Sequence, residues 1–77
     1  MARLHYLVVF IDGQWKILLD QQYYGPCPSR KAAITSAIDA AYRDGKSGHE
    51  ALVSVRDENH KLLTEWTYGH DPYPPKG

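Results

Sequence analysis

His5-Tyr6-Leu7-Val8-Val9-Phe10-Ile11-Asp12-Gly13-Gln14-Trp15-Lys16-Ile17-Leu18-Leu19 is the stretch that decides the fold. After His5 come six residues that are aromatic, β-branched or Leu, a composition that suits a pleated sheet. Asp12-Gly13 stops the run, and glycine supplies the positive φ that a two-residue hairpin turn demands. Beyond the turn, Trp15, Ile17 and Leu19 alternate with Gln14 and Lys16, the period of a strand with two unlike faces. The segment predicts a hairpin with strands over His5–Ile11 and Gln14–Leu19.

Downstream, Asp20 to Pro28 reads as a loop, broken by Gly25-Pro26 and Pro28. Ser29 is placed to cap a helix with its hydroxyl. Ile34, Ala37, Ile38, Ala41 and Tyr42 then recur at three- and four-residue intervals, which predicts an amphipathic helix over about 29–44. Gly45 follows where a left-handed C-terminal cap is expected. Two further strands are predicted, over Glu50–Arg56 and Lys61–Thr67, joined by the polar turn Asp57-Glu58-Asn59-His60. The expected fold is therefore α+β: a two-layer ββαββ domain over 1–67, with a four-stranded antiparallel sheet in the order 2-1-3-4 and one helix on one face. Residues 68–77 hold three prolines in ten and predict an extended tail that packs on the domain or on a partner subunit.

The first strand is apolar on both sides: Tyr6, Val8 and Phe10 on one, Leu7, Val9 and Ile11 on the other. One helix can cover only one side. Burying a large apolar side chain is worth about 1.5–3 kcal/mol over leaving it in water, and the whole stability of a domain this small is about 5–10 kcal/mol. Both faces of this strand are therefore expected to be shielded. The candidates for the second are the Tyr23-Tyr24 loop, the aromatic-proline tail, or another copy of the chain.

Composition narrows the function. The chain has 77 residues, nine basic against nine acidic, and 43% apolar residues. That is one small domain with no overall attraction to nucleic acid or to an anionic membrane. The longest apolar run, Tyr6 to Ile11, falls far short of the roughly 20 residues of a membrane span. A lone cysteine, Cys27, excludes an internal disulfide and fits a reducing cytoplasm. His5, His49, His60 and His70 are scattered without metal-ligand spacing, so no metal and no cofactor is expected. Cys27 sits near a helix start, where a thiolate gains stability, yet no base is identifiable beside it and flanking Pro26 and Pro28 favour a structural thiol. Asp12, Asp57 and Asp71 occupy turn or Asp-Pro positions with backbone reasons to be there. A fold this small also leaves little room for a pocket of several hundred Å3. No enzyme is expected, and no small-molecule ligand is identifiable.

Several segments resemble a known family. They are His5-Tyr6-Leu7-Val8-Val9 leading to Asp12-Gly13-Gln14-Trp15, Ser29 followed by Ala33-Ile34, Leu52-Val53 followed by Arg56-Asp57, and the ending Tyr68-Gly69-His70-Asp71-Pro72-Tyr73-Pro74-Pro75-Lys76-Gly77. Together they resemble a family of small bacterial proteins catalogued only as a domain of unknown function. The likeness spans nearly the whole chain, departing in the longer Asp20–Pro28 loop and the Asn59-His60 turn. It implies a cytosolic bacterial protein and brings no substrate, cofactor or catalytic residue with it.

What remains is an interaction module. Trp66, Tyr68, Tyr73 and Pro74 combine rigid rings with an extended backbone that loses little entropy on docking, and form the expected interaction surface. The leading expectation is a non-catalytic cytoplasmic protein that self-associates through its sheet face or edge, as a homodimer. The alternative is weak nucleic-acid binding, with bases stacked on Tyr6, Trp15, Trp66 and Tyr68 beside Arg3, Lys16, Arg56 and Lys61.

Overall fold

A computed structural model describes residues 3–56, 59 and 61–74. The expected turn residues Asp57, Glu58 and His60, and the tail residues Pro75, Lys76 and Gly77, lie outside the described residues. Six elements follow in order: β1 (Arg3–Ile11), β2 (Gln14–Leu19), β3 (Gln22–Cys27), α1 (Arg30–Lys46), β4 (Glu50–Arg56) and β5 (Leu62–Thr67). The architecture is α+β, with one helix against a mixed five-stranded sheet of order β3-β2-β1-β4-β5.

The first hairpin forms as its sequence dictates. Asp12 and Gly13 both take positive φ, 52° and 76°, and pairing runs from Ile11↔Gln14 to Leu7↔Leu18. Two features correct the expected fold. The expected loop Asp20–Pro28 is a two-residue turn followed by β3, which pairs antiparallel with β2. Gly25-Pro26 hid this strand, because proline is barred from a central strand; β3 lies at the sheet edge, where a missing N–H is tolerated. The sheet is also not wholly antiparallel: β4 pairs parallel with β1, from Arg3↔Glu50 to Val8↔Val55. The second correction stems from the first. One extra strand before the helix reverses the direction in which the chain leaves the sheet, and the helical return then lays β4 along β1.

Ser29 caps α1 by accepting a 3.1 Å bond from the Ala32 N–H. The helix runs past the predicted end: Gly45 lies inside it, Ser47 is the C-cap, and Gly48 takes the positive φ of 98°. Ala33, Ala37 and Ala41 are fully buried and Ile38 nearly so, letting the helix lie close on the sheet. Beneath them sit Tyr6, Val8, Ile17, Val53, Val55 and Trp66, which complete the core. Small side chains on the helix and branched ones on the sheet give that layer its thickness.

Candidate functional site

The segment after β5 turns back at once. The Thr67 N–H donates to Asp71 Oδ2 at 2.8 Å, while the His70 and Asp71 N–H groups donate to the Thr67 carbonyl at 3.1 and 3.0 Å. Gly69, at φ 88°, permits the bend. The Trp66 indole N–H then donates to the Pro72 carbonyl at 3.0 Å. Tyr73 stacks flat on Tyr42 of α1, with ring centroids 3.8 Å apart and planes within 6°, and its hydroxyl donates to Asp39 at 2.7 Å. That donation to a carboxylate raises the ionisation of Tyr73 above its ordinary range, with partial desolvation adding to it.

These contacts put the four expected surface residues in unlike environments. Trp66 is 2% exposed and belongs to the core, not to a docking surface. Tyr68 is half-buried, its ring edge-on to Trp66 and tilted against Tyr42. Tyr73 and Pro74 are exposed, but the Tyr73 ring is already stacked. The Trp66, Tyr68 and Tyr73 rings lie on the helix side of the sheet, while His70 lines a cleft with Leu52 and Thr67. Tyr68 and Tyr73 therefore do not seal the second face of β1, and Pro75, Lys76 and Gly77 lie outside the described residues.

The second face is the more informative surface. Strand alternation puts Leu7, Val9 and Ile11 there, with Lys16 and Leu18 from β2 and Leu52, Ser54 and Arg56 from β4. Val9 is 3% exposed and stands outside the core cluster under the helix. Leu7, Ile11, Leu18 and Leu52 are half-buried. Tyr23, paired with Leu18, extends the apolar surface to one edge at 54% exposure, and Leu62, paired with Arg56, extends it to the other at 53%. The helix packs on the other side, toward which Tyr68 and Tyr73 turn, and His70 borders this face only at the Leu52–Thr67 end.

One polar tie stands in the middle of it. His5 Nε2 is 2.8 Å from Ser54 Oγ, and Ser54 is 1% exposed. Serine beside histidine is the beginning of a nucleophilic pair. Here the serine sits in mid-strand of a paired sheet, its neighbours' amides committed to the ladder, so no oxyanion site faces it. The bond satisfies a buried hydroxyl. Sequence alone could not pair these two, because their meeting depends on the parallel register of β1 with β4.

On the opposite side Tyr6 donates its phenolic O–H to Asp44 in the last turns of α1. Burial, then the bond to that carboxylate, push the Tyr6 phenol well above its ordinary ionisation range. The surface clefts are larger than the sequence led us to expect. One of about 380 Å3 is lined by Arg3, His49, Glu50, Thr67, Tyr68 and His70. A second, of about 250 Å3, runs between Tyr24 and the Ser36–Ala40 side of the helix. Among the described residues, no three His, Cys, Asp or Glu side chains are grouped to hold a metal. Cys27 is half-buried on β3 opposite Trp15.

Comparison with family models, with curated proteins and with solved structures finds no match to this chain. The fold and its surfaces are what speak to function.

Proposed function

We propose that this protein is a small, non-catalytic interaction module of the bacterial cytoplasm, related to the family of unknown function that its sequence resembles, and that it self-associates through its sheet. One observation carries the reading: on the sheet face away from the helix, half-buried Leu7, Ile11, Leu18 and Leu52 lie between exposed Tyr23 and Leu62. Apolar side chains left partly in water across one face are costly and suit an association site. The stacked and hydrogen-bonded segment on the helix side has no such deficit. Base stacking gains no comparable support, since Tyr6 and Trp66 lie under the helix at 8% and 2% exposure.

The test is sedimentation of the full chain from low to high micromolar concentration. A monomer–dimer equilibrium is expected, and Leu7→Glu is expected to shift it to monomer without unfolding the chain. A wild-type chain that stays monomeric throughout removes the proposal.

A further inference from the structure

The geometry of the pairing is written in the edges and charges of the sheet, and its inference rests on the proposed self-association. The sheet has two edges. β3 carries Pro26, which has no N–H to offer, and a register shift beside Trp15 and Ile17. β5 carries its own shift, opposite Val53 and Ser54. Bulges and prolines on edge strands discourage the addition of another strand. The open face carries no such guard.

Its size suits a second copy. Five strands about 4.8 Å apart and about six residues long give a footprint of roughly 24 by 20 Å. That footprint, roughly 480 Å2 in plan, is more than half of the ~800 Å2 that each partner buries in a standard interface.

Charge runs from end to end of the same face. On β4 the residues pointing to it read Glu50, Leu52, Ser54 and Arg56, acid at one end and base at the other. β2 adds Lys16, level with Val9. Because β2 runs against β1 and β4 runs along it, Lys16 and Arg56 fall at one end of the face, and Glu50 falls at the other beside Arg3. Arg3 stands at the acidic end, 3.4 Å from Glu50, whose side chain is still 68% exposed.

The geometry points to a homodimer in which two open faces pack together about a two-fold axis that lies between the sheets and runs across the strands. Such an axis turns every strand end for end. Arg56 then meets the partner's Glu50, and symmetry doubles the pair. An axis along the strands sets β2 over the partner's β4 instead, and brings Lys16 against the partner's Arg56, like charge on like. Leu7 and Leu18, paired across β1 and β2, fall near the favoured axis and meet their own equivalents.

The test uses charge exchange and cross-linking in the full chain. Arg56→Glu and Glu50→Arg, each alone, are expected to raise the dimer Kd roughly tenfold or more, and the double exchange to return it close to wild type. Leu18→Cys, in a Cys27→Ser background, is expected to link two subunits on mild oxidation, whereas Leu63→Cys on the other side of the sheet does not. A dimer that ignores both reversals, with Leu18→Cys left unlinked, overturns this geometry while self-association stands. A strictly monomeric wild type overturns both.

Discussion

The ring of Tyr68 lies directly against the bare backbone of Gly45, so that a methyl group at Gly45 would fall 2.2 Å from Tyr68 Cδ1. Glycine is needed here for close approach, not for an unusual dihedral. The helix continues through it to Lys46 and leaves the positive φ to Gly48. Gly45→Ala is therefore expected to destabilise the chain by about 1–3 kcal/mol through overpacking, or about 4–8 °C in Tm per kcal/mol for a domain of this size. In a Tyr68→Ala background the sign should invert. There the crowding is gone, and alanine gains about 1 kcal/mol over glycine in a helix interior. Thermal melts of the four chains check this, and a Gly45→Ala penalty that persists without the Tyr68 ring refutes the packing account.

Tyr73 separates stability from association. Its ring stacks on Tyr42 and its hydroxyl donates to Asp39, both on α1. Tyr73→Ala is expected to lower the denaturant midpoint, since it removes an aromatic pair and one hydrogen bond. It should leave the oligomeric state unchanged, because the apolar face lies on the other side of the sheet. Tyr73→Phe keeps the stack and should show a smaller drop than Tyr73→Ala, since it loses only the hydrogen bond. Denaturant midpoints give the energies and sedimentation gives the state; a change of state in Tyr73→Ala would place this segment at the interface.

How much was legible depends on where the information sits. The hairpin at Asp12-Gly13, the Ser29 cap and the helical stripe through Ala37 and Ala41 are local signals, written within a few residues of each other, and the chain folds as they say. β3 was not legible, because Gly25-Pro26 is a loop signal everywhere except at a sheet edge, and whether a strand is at the edge is a fact about the whole sheet. With β3 missing, the direction of β4 was necessarily wrong as well. The two-sided apolar character of β1 called for cover on both faces. It did not say which candidate supplies the second cover: only coordinates show Tyr73 turning toward Asp39 on the helix side. The His5–Ser54 tie and the placing of Lys16 and Arg56 at one end of the face belong to the same class. Each needs a register between strands nearly fifty residues apart or on different sides of the helix.

Tyr6 ties the central strand to the end of the helix and gives the fold an alkaline limit. Its phenol is 8% exposed at the residue level and donates to Asp44. Burial first, and the carboxylate second, hold the proton on Tyr6 well above the ordinary value of 10.0. In the unfolded chain the same phenol ionises near that ordinary value. Above about pH 10 the unfolded state has lost a proton that the folded state keeps, so stability falls as pH rises. The contribution is fully present below pH 10 and disappears as pH climbs toward the raised folded-state value. Tyr6→Phe removes both the bond and the linkage. At neutral pH it is expected to lower stability by about 1.5–3 kcal/mol, the range for a hydrogen bond to a charged group. Its stability should then fall less steeply than wild type between pH 10 and the onset of alkaline unfolding, and one phenolate should be missing from the most alkaline part of the absorbance titration. Denaturant midpoints at a series of alkaline pH values measure the slope. Equal slopes in wild type and Tyr6→Phe would mean that the proton on Tyr6 is not what Asp44 and the overlying helix protect.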